Sequence, residues 1–168
     1  MSLTVAALVK TTVRRNLQML DQLLDKGAAF ATAKNFDVGV LLGSRLAPDM
    51  FPLTRQIQLA SDMAKGMTAR LAGQVPPSFE DVETTLAELK ERLARTLAYV
   101  ESVDDAAFDG AEQREVRVPT RAQELVFAGQ DYLVGFALPN FYFHVTAVYL
   151  ILRHNGVDLG KRDFLGAR

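Results

Sequence analysis

The sequence predicts an all-α four-helix bundle carrying one short β-hairpin, and three observations predict it. Three segments repeat apolar residues at steps of three and four, a fourth is apolar on nearly every face, and residues 114–127 alternate in period two. No repeat, low-complexity tract or linker divides the 168 residues, so residues 1–168 are read as a single domain, long enough to bury a core.

The first helix follows from Ala6, Val9, Val13, Leu17, Leu20 and Leu24, which line one face, with Gly27 as its expected stop. Residues 28–51 read as a short helical fragment followed by turns at Asn35-Phe36-Asp37 and Ala47-Pro48-Asp49. The second helix takes Pro52 as its first position. Leu53, Ile57, Ala60, Ala64, Met67 and Leu71 form its stripe, and Gly73 with Pro76-Pro77 ends it. Ser78-Phe79-Glu80-Asp81 resembles a capping box and is expected to open the third helix. Its stripe is Val82, Leu86, Leu89, Leu93, Leu97 and Val100, with Arg92 and Arg95 placed late, in favourable order for the helix dipole. Glu115-Val116-Arg117-Val118 and Gln123-Glu124-Leu125-Val126-Phe127 flank Pro119-Thr120 and predict a hairpin lying across the bundle. A brief helix from about Gln130 to Leu138 precedes the fourth long one, which is expected to start at Pro139 and stop near Asn155-Gly156. Being apolar all round, that helix should be covered on several sides by neighbours, by the hairpin or by a second subunit.

Composition excludes several function classes. Nineteen basic and twenty acidic residues are mixed along the chain with no basic stripe, so a nucleic-acid partner has no electrostatic support. Cysteine is absent, which removes disulfides, thiolate metal sites and a cysteine nucleophile, and agrees with a reducing compartment. The start lacks a cationic segment leading into an apolar core, and Val145–Leu152 is too short for a membrane span of about 20 residues. A cytoplasmic protein without a membrane partner is the expectation.

The residues that could carry chemistry centre on His144. At about 100° per residue, Asn140, Phe141, His144, Val148 and Ile151 share one face of the fourth helix. On the second helix Gln56 sits at the margin of the apolar stripe, while Asp62 projects to the opposite side. Asn16 flanks the stripe of the first helix. His144, Asn140, Gln56 and Asn16 are therefore the candidate ligand-binding residues. The imidazole is either a hydrogen-bonded core group or part of a site, and a site is either metal-free or a divalent metal centre with His144 as principal ligand. His154 cannot share an ion with it, being about 15 Å away along the helix, and suits the last-turn carbonyls instead. The tail, Gly156 to Gly166, lacks the spacing of a phosphate loop. It is expected to fold back, with Phe164 and Leu165 docked and its charges paired.

Ala47-Pro48-Asp49-Met50-Phe51-Pro52-Leu53, Gln56, Ala60-Ser61-Asp62, Arg70-Leu71-Ala72-Gly73, Pro139 to His144, Ile151-Leu152-Arg153 and Gly160 to Gly166 together resemble one bacterial family. It is the domain of unknown function 1993, a branch of the DinB/YfiT-like metalloenzyme superfamily, and the similarity runs over essentially the whole chain. The resemblance implies an up-down-down-up bundle, often a homodimer. It also implies an interior site where relatives hold a divalent metal with three histidines, one on the second helix and an HxxxH pair on the last. Here the second helix has no histidine, and the last offers Asn140-x-x-x-His144. Three functions are thereby set out: small-molecule binding around His144, a metal-dependent transferase or hydrolase with a degenerate site, and a structural homodimer.

Overall fold

A computed structural model describes residues 3–120 and 122–166. Four long helices form the bundle: α1 (Val5–Ala33), α3 (Leu53–Leu71), α4 (Leu86–Ser102) and α6 (Leu138–His154). Short elements join them: α2 (Gly39–Gly43), a 3-10 turn at Asp105–Phe108, strands β1 (Glu115–Pro119) and β2 (Glu124–Ala128), α5 (Gly129–Asp131) and α7 (Lys161–Leu165). The strands pair antiparallel with Val116 opposite Phe127 and Val118 opposite Leu125. Val116 and Val118 turn inward, as the period-two pattern predicts.

Contacts between helices give the directions. Arg14 meets Glu101 at 2.7 Å near the start of α1, and Lys90 meets Asp21 at 3.4 Å further along, so α1 and α4 are antiparallel. Ser61 and Thr96 share a hydrogen bond of 2.6 Å, while Gln74, just beyond α3, accepts from Tyr99 at 3.3 Å. Helices α3 and α4 are therefore parallel. Gln56 meets His144 and Arg70 meets Tyr132, which sets α6 antiparallel to α3. The order is up-down-down-up, with α1 and α3 each packed on α4 and α6. A parallel α3–α4 pair requires a connection that travels the length of the bundle, and residues 72–85 supply it.

Four boundaries differ from the sequence expectation. Gly27 does not stop α1. It lies buried inside the helix, where an added Cβ would stand 3.2 Å from Leu152 Cδ2, so glycine serves the approach of α6. The true stop is at Asn35, with φ 57°, where Phe36 N–H donates to the Ala31 carbonyl and Asn35 N–H to Thr32. Pro52 precedes α3 as its N-cap rather than starting it.

The third helix begins at Leu86, not Ser78. Thr85 accepts from Glu88 N–H and Glu88 accepts from Thr85 N–H, a complete capping box, whereas 78–84 is non-helical and Val82 is 68% exposed.

Pro139 does not open the last helix either. Helical structure runs unbroken from Gly129, passing through a π-helical turn at Tyr132–Ala137 before α6. A proline has no N–H for the preceding turn, and one wider turn there accommodates it. This Gly129–His154 rod is long and apolar enough to cross a membrane by length and composition alone. Its Phe141, Val145, Val148, Ile151 and Leu152 are buried in the core instead. Contrary to the all-round burial expected, Phe143 is 58% exposed, and Tyr142 and Leu150 are exposed beside it.

The tail folds back as α7. Phe164 meets Tyr149 edge-on with centroids 5.6 Å apart, and Asp163 pairs with Lys26 at 2.6 Å. Leu165 does not dock; it is 45% exposed, and only its carbonyl is held, by Arg15. His154 is exposed, and the end of α6 is closed by Asn155, whose Nδ2 donates to the Ile151 carbonyl at 2.8 Å, and by Gly156 at φ 96°.

Candidate functional site

Helix α3 is unusual in burying Gln56, Gln58, Ser61, Lys65 and Thr68 beside its apolar stripe. These polar groups divide between two faces, and each face meets a different partner.

On the α6 side, Gln56 and His144 are 2.8 Å apart through Oε1 and Nδ1. The direction of this bond can be assigned. Gln56 Nε2 donates to the Phe51 carbonyl at 3.2 Å, a group that can only accept, so Oε1 faces the imidazole and His144 Nδ1 must carry the proton. Nε2 then holds the free lone pair, and no described residue bonds to it. Burial pushes the imidazole pKa below its ordinary value, the Arg55 charge lowers it further, and Asp62 opposes both. At neutral pH the ring is therefore uncharged, with an acceptor at Nε2. Phe143 stands perpendicular to it at 5.3 Å, and Arg55 lies 5.9 Å from the Phe51 ring, so aromatic and cationic groups border the imidazole.

The other candidate residues are placed differently. Asn140 is one turn before His144, half-buried, and its Nδ2 donates to the Phe136 carbonyl at 2.7 Å, within the region disturbed by the π turn. Asn16 is buried and donates to the Thr12 carbonyl at 2.8 Å. It lines a separate cleft with Tyr142. Tyr142 and His144, two residues apart, point about 200° apart around α6, so that cleft and the imidazole lie on different flanks. The structure thus brings His144 and Gln56 together and leaves Asn16 elsewhere.

On the α4 side is a charged cluster that sequence reasoning missed. The Arg92 side chain is 0% exposed. Its Nη1 donates to both carboxylate oxygens of Glu83 and to the Glu80 carbonyl, and Nη2 lies 2.9 Å from Asp62 and 3.0 Å from Asp81. Lys65 pairs with Asp62 at 3.0 Å, donates to the Pro77 carbonyl at 3.0 Å, and sits 4.0 Å from the Phe79 ring centroid. Gln58 Nε2 donates to Glu83 at 2.9 Å, and Arg55 reaches both Gln58 and Asp81. Burial pushes the Glu83 pKa up, but the bonds from Arg92 and Gln58 outweigh it and hold the carboxyl below its usual range. Three cations (Arg55, Lys65, Arg92) face three carboxylates (Asp62, Asp81, Glu83), so the cluster is neutral. Its members come from α3, α4 and the 72–85 connection. It clasps that connection to the bundle.

The residues present do not fit the metal centre that the superfamily suggests. Histidine is absent from α3, Asn140 takes the place of one histidine of the pair, and Nδ1 of His144 is occupied by Gln56. Among the described residues no three His, Cys, Asp or Glu side chains are grouped to hold an ion.

The chain matches the sequence profile of the domain of unknown function 1993 (DUF1993) over residues 6–165. It is also similar to a solved structure, a DinB family member protein from Shewanella denitrificans. That likeness has 44% identity and a TM-score of 0.92, covering 98% of this chain and 93% of that one. No curated protein matches it.

Proposed function

For a chain that belongs to the DUF1993 family and has the DinB fold, we propose a binding function: a small molecule held by the neutral imidazole of His144. One observation carries this reading. The Gln56 bond fixes the tautomer and orients the ring, which leaves Nε2 as a positioned acceptor for an N–H or O–H of the ligand. Asn140, on the same helix, adds a second amide, and Phe143 with Phe51 offers apolar surface at the rim. Among the described residues no hydroxyl or carboxylate bonds to Nε2, and the reading is one of binding.

The test is a ligand screen on the full chain, purified without a histidine tag, with metal content measured in parallel. A compound that stabilises the wild type and not a folded His144→Leu variant is expected, as is Gln56→Leu weakening it by releasing the ring. Stoichiometric metal that disappears in His144→Leu would overturn the reading in favour of the metal-dependent hydrolase or transferase.

A homodimer is a second part of the proposal, supported by the exposed side of α6. Between Asp131 and Arg153 the chain carries no charged residue, and Phe143 and Leu150 lie exposed in that stretch. An uncharged apolar face meets its own copy without electrostatic penalty, as a two-fold interface requires. Light scattering should give twice the chain mass for the wild type and a monomer for Phe143→Glu; a monomeric wild type would end this part.

A further inference from the structure

A cleft between α1, α6 and α7 is lined by Thr11, Thr12, Arg15, Asn16, Tyr142 and Phe164, with Leu165 at its edge. Asn16 is only 7% exposed. Its Nδ2 is bonded to the Thr12 carbonyl, but its Oδ1 accepts nothing from any described residue. The residue is buried while this oxygen reaches the solvent of the cleft, so the cleft is offered an acceptor. Arg15 lines the same cleft. Its Nε and Nη2 donate to the Leu165 carbonyl, while Nη1 bonds to no described residue and no described carboxylate pairs with the guanidinium. The Tyr142 hydroxyl is likewise without a described partner.

We propose that this cleft binds a small 2-hydroxy or 2-amino carboxylic acid. The chemistry of the lining selects that class. A guanidinium and a phenol hydroxyl are donors for a carboxylate, and the Asn16 oxygen is an acceptor for a donor on the same ligand. Phe164 and Leu165 accept a short apolar substituent. The cleft, about 170 Å³ and open to solvent on one side, has room for an acid of the size of lactate or alanine. The exposed backbone of the tail closes one wall, since Arg15 holds the Leu165 carbonyl there. This site is independent of His144, which points to the opposite flank of α6.

The experiment is a titration of the 15N-labelled full chain with lactate, alanine and propionate, followed through the Asn16 side-chain amide and the Tyr142 backbone amide. Propionate matches the others in shape and lacks the donor. Saturable shifts with lactate or alanine are expected, about tenfold weaker for propionate, as the loss of one hydrogen bond to the Asn16 oxygen implies. Asn16→Leu should lose about tenfold in affinity, while His144→Leu, which removes the site proposed above, should bind as the wild type does. If Asn16→Leu does not fold, Tyr142→Phe removes only a hydroxyl on an exposed ring and should weaken the preferred acid. No saturation with either acid, equal affinity for propionate, or wild-type binding by folded Asn16→Leu overturns the proposal.

Discussion

Replacing Arg92 with methionine tests whether the charged clasp holds the fold. Methionine fills the stem of the arginine but leaves Glu83, Asp62 and Asp81 without their guanidinium. The side chain of Glu83 is 8% exposed, whereas Asp62 and Asp81 are about a third exposed and can turn to water. Breaking a buried ion pair by removing one partner costs about 3–5 kcal/mol. Two features reduce that figure here. Two of the three carboxylates are partly solvated, and Arg92 Nε has no hydrogen-bond partner among the described residues, so methionine also removes a buried unsatisfied donor. The expected loss is about 2–3 kcal/mol, which lowers Tm by roughly 5–10 °C in a chain of this length. Urea unfolding monitored by circular dichroism measures it. Adding Glu83→Gln should recover about 1 kcal/mol or more, because the stranded charge is then gone. A single variant that loses less than about 0.5 kcal/mol, or a double variant no more stable than the single, refutes this reasoning.

Gly129→Ala should be severely destabilising, by about 2 kcal/mol or more, because the new Cβ would sit 1.8 Å from the Ala111 carbonyl oxygen, a backbone atom that cannot swing away. Gly135→Ala meets nothing within 4 Å and should be neutral or slightly stabilising in the same thermal melts. Stability should also fall in two steps on acidification, read as the urea midpoint. The folded-state pKa of His144 is depressed, so the unfolded chain takes the proton first and stability declines as pH drops below about 6.5; this step should vanish in His144→Leu. Glu83 is also depressed, so its contribution is complete above about pH 4.3 and is lost as pH falls through its lower folded value. A midpoint that stays flat between pH 7 and pH 5 would contradict the first step.

The core of the bundle was legible because apolar spacing reports directly on which side of a helix is buried. The stripes of α1 and α3 are the buried residues, and the marginal position of Gln56 on its helix is where it meets His144. Arg92 was illegible for a related reason. It lies about 60° from Leu89 on the wheel, at the flank of the stripe, where burial depends on what else passes by. With Ser78–Thr85 assigned to the helix, no chain is left to cover that flank, and Arg92 reads only as a late-helix cation favourable to the dipole. The signal that separates the two assignments is Thr85-Leu86-Ala87-Glu88, a stronger capping box than Ser78-Phe79-Glu80-Asp81. The π turn left less trace. Pro139 marked an irregularity, but a helix start and a widened turn both accommodate a missing N–H.

The clasp and the imidazole are not independent, and α3 is the reason. Arg55 and Gln56 are consecutive, so their side chains diverge by about 100°. One reaches Asp81 in the connection and the other reaches His144. Arg55 is thus held at a fixed place by the connection while its charge lowers the affinity of the neighbouring imidazole for a proton. The parallel arrangement of α3 and α4 demands a long crossing segment, and that segment must be tethered to polar groups along its path because it has no sheet or helix of its own. Tethering it with arginines places a positive charge beside the polar interior face of α3. Burial is the main reason the histidine opposite that face on α6 stays neutral; the tethered Arg55 adds to it and Asp62 opposes it, and a neutral imidazole is the form that offers Nε2 as an acceptor.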